Sequence, residues 1–164
     1  MILKPEELNM VEIGKEAVDQ YIDFSNLIKS TLENPEFFEN YSKKDLIELL
    51  ENGSKIYLFK YHEFAIASCM LLKISKNRLK ELGILDENAI ELGPQAVFLD
   101  MRGNGIQKFM IKTMEDISKE LKYFYIIGVV QKEDEIANSN FKKLHYQIVK
   151  EIDNSIIYQK DLTN

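Results

Sequence analysis

Between Ala96 and Val130 the chain passes through an apolar run, a glycine turn that carries an arginine, an amphipathic stretch and a second apolar run. Few folds accommodate that order. Tyr123–Val130 is rich in β-branched and aromatic side chains and almost unbroken in apolar character. Such a segment needs cover on both faces, as parallel strands have. Between the two runs, Ile106, Phe109, Met110, Met114, Ile117 and Leu121 recur at the spacing of one helical face. Strand, helix and strand in this order predict a right-handed crossover unit, its second strand parallel to the strand that precedes Arg102.

The turn between strand and helix is Arg102-Gly-Asn-Gly105, followed by Ile106 and Gln107. The first N–H groups of a helix lack intrahelical acceptors, and with the helix dipole they attract anions, phosphate above all. Glycine at 103 and 105 lets a phosphate approach the backbone. Arg102, one of two arginines in the chain with Arg78, adds a charge that phosphate accepts in forked geometry. A G-x-x-x-x-G-K-[ST] loop is absent, and Lys108 stands where a G-x-G-x-x-G fingerprint needs its third glycine. The same four residues also suit a turn that simply caps a surface helix.

The spacing R-G-x-G-I-Q resembles the R-x-x-G-x-G/A signature of the GNAT superfamily, the acyl-CoA-dependent N-acetyltransferases. The run AVFLDMRGNGI is similar to that family's xxVxPxxRGxGI, with Leu99 in place of proline and Gln107 in place of the last Gly or Ala. A second stretch, EDEIANSNFKKLHY, resembles the family's DNxASxxLFEKLGF. There Lys143, Leu144 and Tyr146 match, while Asp134, Ala137 and His145 replace the usual Asn, Ser and Gly. The likeness covers residues 90–160 well and the first 89 residues only in element order. It implies an α/β (α+β, three-layer) fold. A mixed, mostly antiparallel central sheet would contain a splayed parallel strand pair, with helices on both faces, in one domain over 1–164. It implies acetyl-CoA as co-substrate, with Arg102, Gly103, Asn104, Gly105, Ile106 and Gln107 on its pyrophosphate. The pantetheine arm would lie along Val97, Phe98 and Leu99, and Asp134 and Phe141 would stand on the coenzyme side.

The rest of the chain reads as follows. Met10–Ile13 predicts a short first strand, and Lys15–Leu32 a helix broken at Asn34-Pro35. Ser42 with Asp45 has the form of a capping box opening a helix to Leu50, which Asn52-Gly53 ends. Ile56–Tyr61 and Phe64–Lys73 predict a hairpin through His62-Glu63, and Ser75–Leu82 an inserted helical turn. Glu87–Leu99 predicts a central strand with a bulge or bend at Gly93-Pro94. A turn at 131–134, a helix from Glu135 to Leu144, and strands Tyr146–Ile152 and Ile156–Lys160 around Asp153-Asn154 complete the pattern.

With 164 residues, 45% of them hydrophobic, a single domain can bury a sizeable core. No apolar run has membrane-spanning length, and the first residues lack the order of a signal peptide. One cysteine, Cys69, permits no internal disulfide and reads as a small buried side chain. A cytoplasmic protein is expected, a monomer or homodimer, with no membrane partner. The net charge of −6 lies in the first part: residues 1–99 hold 11 basic and 17 acidic side chains, residues 100–164 ten of each. An acidic chain without a basic stripe argues against nucleic acid as a partner. In the architecture the resemblance implies, the first part faces the acceptor, so its charge would favour a cationic amine, from a small molecule or a peptide. Solvated acidic helices would give the same count.

The resemblance implies direct transfer of acetyl to the amine, with the oxyanion held by a backbone N–H near Val97 or Phe98. The base in many members is a glutamate on the same strand, and Glu91 holds that place. The tyrosine that many members use as the acid aligns with Phe141, which has no proton to give. With Gln107, it favours the alternative reading, a non-catalytic acyl-CoA-binding module, and a nucleotide-binding α/β domain is a third. Two histidines and one cysteine show no metal-ligand spacing, and no metal is expected.

Overall fold

The computed structural model describes residues 2–33, 35, 38, 40–86 and 88–164. The chain has an α+β fold, and among the described residues its mixed sheet has eight strands with one parallel pair. It groups into two compact units, residues 1–70 with 94–106, and residues 71–93 with 107–164.

In the first unit, β1 (Asn9–Glu12) pairs antiparallel with β2 (Lys55–Tyr61), Val11 opposite Leu58. Ile56, Tyr57, Leu58 and Phe59 are buried in succession, so β2 has both faces covered. A 3-10 turn at Lys15–Ala17 leads into α1 (Val18–Lys29). The predicted helix extended to Leu32. It stops earlier because Ser30 and Thr31 turn their hydroxyls onto the carbonyls of Leu27 and Ile28. Pro35 follows, and Asn34, expected to share the break, lies outside the described residues. The box that opens α2 (Lys43–Glu51) is reciprocal: Ser42 Oγ accepts from Asp45 N at 3.1 Å, and Ser42 N donates to Asp45 Oδ2 at 3.0 Å. That bonding holds the Asp45 carboxyl below the ordinary carboxylate range. β2 and β3 (Phe64–Lys73) form the expected hairpin, with His62 in the left-handed region at φ 54°.

In the second unit, Ser75 caps α3 (Lys76–Leu82) by accepting from Arg78 N. β4 (Ala89–Leu92) pairs antiparallel with the end of β3 and parallel with β6 (Tyr125–Gln131), Ala89 opposite Tyr125 and Leu92 opposite Gly128. β6 runs three residues past that last pair, bonded to β8 (Ser155–Asp161), and β7 (Gln147–Ile152) closes the order β3-β4-β6-β8-β7. Leu79, Leu82, Ile84, Ala89, Ile127 and Ile157 form one core cluster.

Glu87, expected to open the central strand, lies outside the described residues. Gly93 to Gln95 interrupt it, and β5 is only Ala96–Val97, antiparallel to Ala67–Ser68 of β3. Between the two pairings, β3 contributes two residues and the other strand three, which is the expected bulge. Pro94 has no N–H to donate to a ladder, so the interruption falls there. The parallel partner of β6 is therefore β4, not the residues next to Arg102. Leu99, read as strand, lies in a 3-10 turn, Leu99–Met101.

Candidate functional site

The loop at the head of α4 (Ile106–Glu120) is built from local bonds. Phe98 N donates to Ile66 O at 2.8 Å, which anchors the end of β5. Met101 N and Arg102 N then close the 3-10 turn onto Phe98 O and Leu99 O. The Arg102 side chain is exposed, and its Nε reaches back to Val97 O at 3.3 Å. Gly103 and Gly105 both lie in the left-handed region, at φ 83° and 75°. A Cβ built at either would meet no atom within 4 Å. The two glycines thus answer to the left-handed backbone of the turn, and each has open space where a Cβ would stand. Asn104 ties the loop down, accepting from Leu3 N at 3.2 Å and donating to Met101 O at 2.8 Å. Ile106 is buried. By helix geometry the N–H groups of Ile106, Gln107 and Lys108 have no intrahelical acceptor.

In the second unit, Gln107 Oε1 accepts from Asn140 Nδ2 at 2.6 Å. Asp134 caps α5 (Glu135–Lys143) by accepting from Ala137 N at 3.0 Å. Asn138, which the sequence reading passed over, is the local hub. Its amide donates to Gln131 O and Asp134 O, and its Oδ1 accepts from Tyr158 OH at 2.6 Å. Burial pushes the Tyr158 hydroxyl above the ordinary tyrosine value. Phe141 is 2% exposed, stacked on Tyr158 and edge-on to Tyr146. It packs so close to β6 that a Cβ on Gly128 would come within 2.4 Å of its ring.

Glu91, the sequence candidate for the base, is 8% exposed, and both of its oxygens face Arg78. Arg78 belongs to the segment read as a mere insertion. The signal that could have found it was its rarity, since the chain otherwise uses lysine. Tyr146, which matches the last aromatic of the second pattern, is buried and donates to Glu115. His145 is exposed just beyond α5 at φ 68°. Among the described residues no three His, Cys, Asp or Glu side chains gather as metal ligands would, and no helix is long and apolar enough to cross a membrane.

No family model and no curated protein sequence matches the chain. Solved structures do. A GNAT-family acetyltransferase from Listeria monocytogenes 4b F2365 is 16% identical with a TM-score of 0.75, over 94% of each chain. An N-acetyltransferase from Staphylococcus aureus Mu50 is 14% identical, TM-score 0.70, over 94% of this chain and 99% of that one. The PaiA N-acetyltransferase from Thermoplasma acidophilum, solved in complex with coenzyme A, is 14% identical with a TM-score of 0.71, over 94% and 98%.

Proposed function

We propose, from the premise that this chain has the fold of GNAT-family acetyltransferases, that it transfers an acetyl group from acetyl-CoA directly to an amine. One observation carries the reading. The Arg102–Gly105 loop opens a long helix with two left-handed glycines and an exposed arginine, which suits a diphosphate. Residues 102–107 would hold that group, Val97, Phe98 and Leu99 the pantetheine arm, and Asp134 and Phe141 would shape the coenzyme side from α5. Phe141, buried in an aromatic stack, would serve by packing alone, and the departing thiolate would take its proton from water.

The transfer needs a neutral amine, a polarised thioester carbonyl and a proton for the departing thiolate. A backbone N–H near Val97 or Phe98 would stabilise the oxyanion. The N–H of Phe98 is engaged with Ile66 O, so the donor is assigned to Val97. Glu91 would take the proton from the incoming ammonium, from its position beside Arg78. The acceptor is an amine of a small molecule or peptide, and the protein is placed in the cytoplasm.

Thermal unfolding with and without acetyl-CoA tests the reading, with ATP and NAD as controls. A ligand at about 100 times its dissociation constant adds roughly 2.7 kcal/mol, or several degrees. A shift with acetyl-CoA alone supports the loop assignment, and no shift overturns it. Thiol release with a panel of amines then tests catalysis.

A second reading, an acyl-CoA-binding module without catalysis, is favoured by two specific observations. Phe141 offers no proton where a tyrosine is usual, and both Glu91 oxygens are bonded to a guanidinium. Coenzyme binding without thiol release across the amine panel would select it.

A further inference from the structure

Gln107 and Asn140 both carry carboxamides where the family patterns have small or apolar residues. Gln107 stands at the Gly/Ala place of R-x-x-G-x-G/A, and Asn140 falls at the leucine of DNxASxxLFEKLGF. The fold brings these two into direct contact: Asn140 Nδ2 donates to Gln107 Oε1 at 2.6 Å, across 33 residues of chain. Both are half-buried. Asparagine is a poor residue for a helix interior, so its place within α5 is not explained by local propensity.

A carboxamide is planar, with its oxygen and nitrogen on opposite arms of one carbon. With Oε1 turned to Asn140, the Nε2 arm of Gln107 stands on the other side of the carboxamide carbon. Gln107 is the second residue of α4, within the turn whose N–H groups lack intrahelical acceptors. Asn140 is itself held firmly: α5 is capped by Asp134, pinned by Asn138 and packed through Phe141.

We infer that Asn140 is a positioning residue for Gln107, and that Gln107 so held donates from Nε2 to a diphosphate oxygen of coenzyme A. The inference rests on the coenzyme reading above and adds to it a side-chain donor. A hydrogen bond to a charged group, made by a donor already fixed in place, forms without the entropy cost of ordering a free glutamine.

The test is calorimetric titration of coenzyme A into the full chain and into Gln107→Ala, Gln107→Glu, Asn140→Ala and the double alanine variant. 31P spectra of the bound coenzyme are recorded in parallel. Gln107→Ala should weaken binding by about tenfold or more. Gln107→Glu should weaken it further, because glutamate keeps the bond from Asn140 but turns a carboxylate oxygen toward the diphosphate. Asn140→Ala should reproduce part of the loss, and the double variant should bind no worse than Gln107→Ala. The diphosphate signals should move in Gln107→Ala and in Asn140→Ala while the 3′-phosphate signal stays in place, a readout that a purely structural clasp would not give. Wild-type affinity and unmoved diphosphate signals in Gln107→Ala would overturn the inference and leave the coenzyme reading standing, as would losses that simply add. An unmodified chain that fails to bind coenzyme A would overturn both. Asn140→Leu, which installs the pattern's own residue, replaces Asn140→Ala should that variant not fold.

Discussion

Arg78 holds Glu91 by both carboxylate oxygens, Nε to Oε1 at 3.1 Å and Nη2 to Oε2 at 3.3 Å, joining α3 to β4 within one unit. A second carboxylate, Glu81, lies 3.9 Å from Nη1. The fork places a nearly buried negative charge against a guanidinium that is 42% exposed. A planar guanidinium matches a carboxylate in this way and a lysine ammonium does not.

Removal of Arg78 leaves that carboxylate without its cation. Arg78→Ala should destabilise the protein by roughly 1–2 kcal/mol, less than a fully buried pair would cost because the guanidinium is partly in water. The loss should shrink in an Arg78→Ala, Glu91→Gln double variant. Urea unfolding of the four forms measures the coupling, and simple additivity would show that the pair contributes nothing. Under the proposed reaction, Glu91→Gln should also slow acetyl transfer while coenzyme affinity stays as in the unmodified chain.

Arg102 is exposed and adds little to the core. Arg102→Glu should change unfolding stability by no more than about 0.5 kcal/mol. Coenzyme binding should weaken by at least about tenfold through loss of a charge-assisted bond. Titration calorimetry beside thermal unfolding separates the two. Unchanged affinity would remove the loop from the functional argument.

Glu115 on α4 is another carboxylate that needs its partners. It accepts from Lys160 Nζ at 2.7 Å and from Tyr146 OH at 3.2 Å, with only 7% of its side chain exposed. Lys160→Met should cost about 3 kcal/mol, because a buried charge loses its counter-ion. Lys160→Met with Glu115→Leu should cost distinctly less. Denaturant midpoints of the two variants decide it, and equal losses would mean that packing rather than charge sets the cost.

Cys69 is wholly buried in β3, and burial pushes its thiol up, away from the reactive thiolate. The folded chain should leave a disulfide reagent such as DTNB unreacted over minutes at neutral pH, and react with one equivalent once unfolded. A fast reaction of the native protein would place the sulfur within reach of solvent. The same inertness makes a thiol-release assay readable without correction for the protein.

Much of this molecule is legible along the chain. The 3.6-residue period of 106–121, the apolar run at 123–130, the Ser42–Asp45 box and the two-residue turns at 62–63 and 153–154 are local properties, and each appears within a few residues of its expected place. The Arg102–Gly105 turn is equally local, because two left-handed glycines before a helix depend only on the backbone between 102 and 106. The strand leading into it was harder to read. Apolar character runs on to Leu99, but the strand ends at Val97, because Met101 N and Arg102 N turn back onto Phe98 O and Leu99 O.

Local order, periodicity and turn chemistry are set by neighbours in sequence, and so the elements, their succession and the Arg102–Gly105 turn were determined by the sequence itself. Tertiary structure decided which side chains meet. Arg78 reaches Glu91 across 13 residues, Gln107 reaches Asn140 across 33, and Lys160 reaches Glu115 across 45. A polar or charged side chain carries no mark of its distant partner. Only when packing removes water from both does their pairing become the arrangement of lowest free energy.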